Sequence, residues 1–331
     1  MRPYEYIRSS SPAEALRANA ASEKPHYLGG GTNLIDLMKE DVERPDTLIE
    51  VSGLDFQSVT ANAAGGYTLG AMISNTDTAN HPEVKNNYPL LSMAMVSAAT
   101  EQIRNMATNG GNLLQRTRCP YFYETSMPCN KREPGSGCGA LTGMNALHAI
   151  FGWSKSCVAV NPSDMCTALA ALGATVVVLQ PDGGSERRIP FADFHRLPGD
   201  TPEKDTNLEP GELIVGIELG EPKFSDNYYY LKIRERSSYA FALVSVAAGL
   251  QLDGNRIVDA GLAMGGVAHK PWKLTAAEEY LRGKVPEAAV FEEAAERAMA
   301  DARPLDDNEY KVEMGKKAIV RALMQAYERT A

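Results

Sequence analysis

Residues 119–157 read CPYFYETSMPCNKREPGSGCGALTGMNALHAIFGWSKSC and hold four of the chain's five cysteines, at 119, 129, 138 and 157. The stretch is rich in Gly, Pro and polar residues and has neither a helical nor a strand period. An irregular segment this long with no core of its own needs something to order it. Convergent thiolates around a metal centre would do so, and thiolates select zinc, Cu(I) or iron–sulfur clusters. Structural zinc sites place ligands in close pairs, and a bacterial ferredoxin run has two-residue gaps followed by Cys-Pro. Neither pattern is present, so an iron–sulfur cluster leads and zinc stays open. The alternatives are buried free thiols, or disulfides if the chain is exported. Cys166 is set apart: Ser163 is a good N-cap, and Met165, Leu169 and Leu172 then share one helical face. That makes Cys166 a small core residue and leaves Cys119, Cys129, Cys138 and Cys157 as ligands. Lys131, Arg132 and Lys155 are either charges that favour a reduced cluster or solvated loop residues.

The chain has 331 residues with ordinary apolar and charged fractions, 44% and 23%, enough for two or three domains. A net charge of -9 argues against nucleic acid as a partner. No apolar run reaches the ~20 residues of a membrane span. The N-terminus, MRPYEYIRSSSPAEALRA, has no apolar h-region, so no signal peptide is expected. The expected location is cytoplasmic, or periplasmic if a folded partner with its own signal carries the chain.

The first half alternates strands, glycine turns and capped helices. YEYIR is a strand, and Ser-Pro opens a helix at Pro12. His26–Leu28 is a strand, Gly29, Gly30 and Gly31 a turn, and Thr32 or Asn33 caps a helix carrying Leu34, Leu37 and Met38. Strand, glycine loop and helix start form a phosphate-binding arrangement, and a side chain at Gly30 would stand against the ligand. A dinucleotide fingerprint needs a further glycine where Leu34 stands, which weakens NAD. YTLGAMIS is a strand and PLLSMAMVSAA a buried helix. Gly110 and Gly111, between Asn109 and Asn112, make a second tight turn, so a pyrophosphate could be gripped from two sides. SCVAVNPSDMCTALAALGATVVVLQ predicts strand, helix, strand, with Asp164 either stabilising the helix start or bonding a ribose or ring. PDGG is a hairpin turn and ERRIPFADF its return strand. From 225 an antiparallel set around the DGN turn is followed by helices to about 329. Lys232 faces either the front domain or solvent.

The segments YLGGGTNLIDLM, TLGAMISNTDTA, QIRNMATNGGNLLQR, NPSD and YAFALVSVAAGLQLDGNRIVDAGLAMGGVAHKPW together resemble the FAD-binding medium subunit of the molybdenum hydroxylases, the group of xanthine and CO dehydrogenases. The cysteine insert is most similar to that of the FAD/[4Fe-4S] subunit of periplasmic aldehyde oxidoreductases, and next to that of 4-hydroxybenzoyl-CoA reductase medium subunits. The resemblance implies an α+β chain: a two-subdomain FAD-binding fold of the vanillyl-alcohol-oxidase (PCMH) type over 1–57 and 58–222, with a [4Fe-4S] loop insert at 116–157. A C-terminal α+β domain, an antiparallel sheet plus helices, follows over 223–331. It implies FAD held by Tyr27, Leu28, Gly29, Gly30, Gly31, Thr32, Asn33 and Leu34, then by Thr108, Gly110, Gly111 and Asn112, and by Asp164, Val215 and Lys232. It implies no catalytic residue here. Most relatives have His where Asn75 stands. It further implies a heterotrimer with a large molybdenum-cofactor subunit, a small [2Fe-2S] subunit and an external electron acceptor. A stand-alone flavin oxidoreductase and a metal-stapled scaffold are the alternatives.

Overall fold

The computed structural model describes residues 1–329; Thr330 and Ala331, the end of the expected 223–331 domain, lie outside the described residues. Three sheets organise the chain. The first is parallel, in the order β1-β3-β2: β1 (Glu5–Arg8), β2 (Pro25–Leu28) and β3 (Thr47–Glu50). The helix Pro12–Ala21 that joins β1 to β2 starts as expected: Ser11 accepts a hydrogen bond from the Glu14 backbone N–H, and Pro12 occupies the first turn. The second sheet is antiparallel, in the order β4-β5-β8-β6-β7: β4 (Val59–Ala61), β5 (Tyr67–Gly70), β6 (Thr175–Leu179), β7 (Glu186–Pro190) and β8 (Leu213–Glu218).

The third sheet is antiparallel, in the order β12-β11-β10-β9: β9 (Asn227–Ile233), β10 (Val244–Asp253), β11 (Arg256–Gly265) and β12 (Trp272–Lys273). Its two faces serve different cores. Val244, Val246, Ala248 and Leu250 alternate onto one face and pack with the helices Thr275–Leu281, Ala288–Met299 and Tyr310–Glu328. Ala247 and Ala263 point the other way, into the core shared with the front of the chain. That second face is kept low. A Cβ at Gly261 would stand 2.6 Å from the Ala171 carbonyl oxygen. Bare backbone there lets the helix Asp164–Leu172 lie close against the sheet, and this close seat brings Asp164 to the side chains of β9.

Four local expectations change. The strand foreseen in YTLGAMIS ends at Gly70, because residues 71–74 turn into the helix Asn75–Asn80. SCVAV is not a strand; only an isolated bridge joins Ser154 and Cys157. The return strand stops at Pro190 and Phe191–Phe194 is a helical turn, so Phe191 and Phe194 are both buried. Gly110 and Gly111 lie in the first turn of the short helix Asn109–Leu113 rather than in a free turn. No described helix is long and apolar enough to cross a membrane.

Lys311 is a cation of the core. It is 0% exposed, and its Nζ donates to two backbone carbonyls, those of His148 and Gly266, with no carboxylate in reach among the described residues. An ammonium has three protons to place and a neutral amine two. Burial pushes the Lys311 pKa down to about 7. A base whose pKa falls on folding leaves the unfolded chain holding more protons between the two values, so its contribution to stability rises with pH across that window. Denaturant unfolding of wild type and Lys311→Met at pH 6, 7, 8 and 9 should show the difference moving in favour of wild type from about pH 7 upward; parallel curves would contradict a desolvated amine.

Candidate functional site

The glycine turn after β2 meets the segment before the helix Asn109–Leu113. A Cβ at Gly30 would fall 1.6 Å from the Met106 carbonyl oxygen, and one at Gly29 would fall 2.7 Å from Thr108 Oγ1. The chain passes here with no room for any side chain, so a substitution at Gly30 strikes protein backbone, not a ligand as the sequence had suggested. Gly31 has a φ of +71°, which favours glycine. None of the backbone N–H groups from Gly29 to Asn33 donates to a protein acceptor among the described residues. A row of free donors on partly exposed backbone is an anion cradle. Asn33 occupies the N-cap position of the helix Leu34–Lys39, but its side chain does not cap it. Its Oδ1 accepts from the Arg116 N–H at 2.9 Å, and its buried Nδ2 has no partner. Tyr27 donates to the Gly211 carbonyl, the carbonyl of Leu28 accepts from Val51, Thr32 is exposed and Leu34 begins the helix.

The second glycine pair works differently. The Asn109 N–H bonds to the Ile73 carbonyl, Gly110 to that of Ala71, Gly111 to the Thr108 hydroxyl and Asn112 to the Thr108 carbonyl. These donors are spent inside the protein, so this segment supplies close packing and side chains rather than a second set of free N–H groups. Its buried side chains form one network: Asn109 with Thr78, Asn75 and the Gly70 carbonyl, and Asn112 with Asn75 and Ser163. Asn75, the position of doubt in the sequence, links Asn109 to Asn112 in this network.

Asp164 and Lys232 sit together. Lys232 Nζ is 2.8 Å from Asp164 Oδ2, and Tyr230 donates to Asp164 Oδ1 at 2.7 Å. Both charged side chains are almost fully buried, 6% and 4% exposed. Lys232 therefore faces the front of the molecule. Its ammonium also donates to the Ser97 carbonyl. Burial first, and the Asp164 charge second, push the Tyr230 phenol well above its ordinary pKa, so it stays a donor. Val215 lies in β8, buried in the first core, with its carbonyl accepting from Ala71.

The cysteine segment carries more internal order than its composition suggests. One cavity is lined by Cys119, Cys129, Cys138 and Cys157 together. Cys129 and Cys138 are bridge partners, and none of the four is in a disulfide. Cys166 is 0% exposed, inside its helix and apart from that cavity. The loop is anchored by Phe122, which packs with Leu37 and Cys129. Arg132 donates to the carbonyls of Tyr121, Phe122, Thr125 and Met127. Lys131, only 1% exposed at its side chain, donates to the Pro202 carbonyl and pairs with Asp205. Asp205 also binds Arg116, which pairs with Glu43 and lies 4.8 Å over the Phe122 ring. These cations are structural ties rather than solvated charges. Burial alone would raise the Asp205 pKa, but Lys131 and Arg116 outweigh it and hold the carboxyl well below the carboxylate range.

Burial pushes the Cys119 thiol up to about 12 and that of Cys157 up to about 11. Without a metal these sulfurs are neutral thiols, and binding one would release their protons. Among the described residues no group of three or more His, Cys, Asp or Glu side chains is arranged to hold a single metal ion. A tetrahedral zinc with bonds of about 2.3 Å would draw its sulfurs to within about 3.8 Å of one another. A multi-iron cluster holds its cysteines further apart. Four free cysteines line one cavity, a thiolate set of the kind that iron–sulfur clusters take.

Comparison with known proteins bears on the flavin half of the site. Residues 2–222 match the FAD binding domain in molybdopterin dehydrogenase, and residues 229–330 match the CO dehydrogenase flavoprotein C-terminal domain. The aldehyde oxidoreductase FAD-binding subunit PaoB of Escherichia coli K12 is 45% identical over 326 residues, 98% of this chain and 99% of that one. The glyceraldehyde dehydrogenase medium chain of Sulfolobus acidocaldarius is 27% identical over 92% of this chain and 90% of its own length. Among solved structures, carbon monoxide dehydrogenase of Hydrogenophaga pseudoflava superposes with a TM-score of 0.77 at 23% identity, covering 100% of this chain and 99% of that one. At that identity the likeness speaks to the fold.

The contact at Gly30 gives the first test of this geometry. Gly30→Ala should lower the stability of flavin-free protein by about 2–3 kcal/mol, since overpacking against immovable backbone costs that much. Thermal unfolding of flavin-stripped protein measures it, and an unchanged midpoint would contradict the close approach.

Proposed function

Since this chain belongs to the FAD-binding medium subunits of the molybdenum hydroxylases, we propose that it serves as the electron-transfer subunit of a heterotrimeric molybdenum-containing aldehyde oxidoreductase. It is an oxidoreductase subunit that binds FAD. In the proposed complex a large subunit with the molybdenum cofactor oxidises an aldehyde, and a small subunit carries [2Fe-2S] clusters. FAD held by this chain would supply the redox step between those clusters and an external acceptor. The aldehyde class is supported by the name and near full-length match of the relative at 45% identity.

The observation that carries the reading is that one chain holds both the free N–H row of residues 29–33 and a cavity lined by four unpaired cysteines. In this reading the row from Gly29 to Asn33 binds the FAD pyrophosphate, flanked by Tyr27, Leu28 and Leu34. Thr108, Gly110, Gly111 and Asn112 back it from the facing segment. Asp164 and Lys232 present one carboxylate and one ammonium, already paired, to the rest of the dinucleotide, with Val215 behind. A pre-formed buried pair reorganises little when a ligand arrives, which suits electron transfer between fixed carriers. No side chain of this chain needs to move a proton on substrate. Cys119, Cys129, Cys138 and Cys157 hold a [4Fe-4S] cluster as thiolates.

The purified complex separates this reading from its rivals. Flavin together with four irons per complex beyond those of the small-subunit [2Fe-2S] clusters is expected, and iron no greater than those clusters account for would leave the cysteine cavity without its cluster. Cys129→Ser should strip most of the iron from this subunit while leaving flavin occupancy at the wild-type level, because the two sites share no ligand. Wild-type iron content in that variant would remove Cys129 from the ligand set.

A further inference from the structure

His148 belongs to the cysteine segment but falls outside the four-thiol set. Its Nε2 lies 3.2 Å from Cys119 Sγ. Among the described residues it is the one side chain within hydrogen-bonding distance of any of the four sulfurs; Cys157 Sγ has instead the backbone N–H of Ala159 at 3.5 Å. The ring's other nitrogen, Nδ1, is buried and has no partner. The ring is aimed from behind by its own main chain. The His148 carbonyl accepts from Lys311 Nζ at 3.0 Å and from Asn308 Nδ2 at 3.1 Å, and both of those side chains are 0% exposed. Its N–H donates to the Asn145 carbonyl at 3.0 Å. Tyr121 lies tilted against the ring, centroids 6.3 Å apart. The first turn of the C-terminal helix Tyr310–Glu328 and the loop before it thus hold the imidazole against Cys119.

We propose that His148 is a tuning residue, whose Nε2–H donates a hydrogen bond to the Cys119 thiolate in the cluster-bound protein and raises the cluster's reduction potential. The proposal rests on the iron–sulfur reading above. A neutral imidazole carries one proton. Facing a thiolate, with no acceptor at Nδ1, that proton belongs on Nε2. A hydrogen bond to a cluster sulfur withdraws electron density from the irons and favours the reduced state, and such outer contacts are among the main settings of cluster potential. Cys119 is the thiolate so treated, which makes the cluster asymmetric: one corner bears a side-chain donor delivered by the C-terminal half of the chain.

The test uses the intact complex and two variants. His148→Phe keeps a flat ring and removes the donor; His148→Gln shortens the group but keeps an N–H at its tip. Iron, acid-labile sulfide and the potential of the cluster by EPR-monitored titration are measured on each. The expected result is wild-type iron and sulfide in both, a shift to more negative potential in His148→Phe, and a return most of the way to wild type in His148→Gln. An unchanged potential in an iron-replete His148→Phe complex overturns the proposal and leaves the cluster reading intact. Equal shifts in the two variants also overturn it, since packing and not a donor would then be responsible. If His148→Phe does not assemble, His148→Gln is compared with His148→Met, which has similar length and no donor, and equal potentials overturn the proposal. Wild-type complex in which this subunit holds neither iron nor sulfide overturns the cluster reading and this inference together.

Discussion

Backbone against backbone, with no side chain between, is the contact on which the front of this molecule depends. Gly30 meets the Met106 carbonyl, and Gly29 meets the Thr108 hydroxyl. That approach pins the turn after the small parallel sheet to the segment that leads into the cysteine loop. It holds residues 29–33 in an open conformation whose N–H groups no protein acceptor takes among the described residues. Unpartnered donors of this kind are tolerable only where water or a ligand reaches them. Similar economy at Gly261 seats the helix Asp164–Leu172 on the third sheet and so delivers Asp164 to Lys232. The proposed flavin-binding surface is thus built from two places where the chain gives up side-chain volume to gain proximity.

The cysteine loop is held by another kind of force. Lys131 and Arg116 both reach Asp205, and Arg116 continues to Glu43, so one carboxylate from residues 200–206 ties the loop to the connection that leads into β3. Removing one partner from a buried arrangement of this kind typically costs about 3–5 kcal/mol, because it strands the other charge. The four cysteines themselves form no disulfide that would tie the loop. The division of labour follows: charges and Phe122 set the loop's path, and the sulfurs are left to face one cavity.

Much of this was legible in the residues, and the limits have physical reasons. The helix at Ser163 with Cys166 buried inside it, the glycine turn after Leu28 and the DGN hairpin all rest on local rules, and local rules travel well. The strand misread in SCVAV shows the opposite: Val158 and Ala159 are buried, but the main-chain bonds around them, from Ala149 to the Val158 carbonyl and from Asn161 to that of Ala268, build no ladder. The loop was expected to need a metal for its order. Its true anchors, Asp205 and Arg116, stand 89 positions apart in sequence, and no spacing rule links them. Lys232 was left between solvent and the front domain because its partner lies on a distant helix; only the register of β9 against β10 turns it inward. His148 carried no signal at all in sequence, since its importance comes from a sulfur 29 residues away and from Asn308 and Lys311, 160 and 163 residues away.

In the proposed function a dinucleotide clasp and a four-sulfur cluster site share one polypeptide. Anomalous diffraction from crystals of the intact complex, recorded on either side of the iron absorption edge, tests it most directly. The account predicts a compact group of four iron peaks bounded by Cys119, Cys129, Cys138 and Cys157, with flavin density along residues 29–33 in the same map. A single peak at that cavity, a signal at the zinc edge instead, or no anomalous density there at all would contradict it.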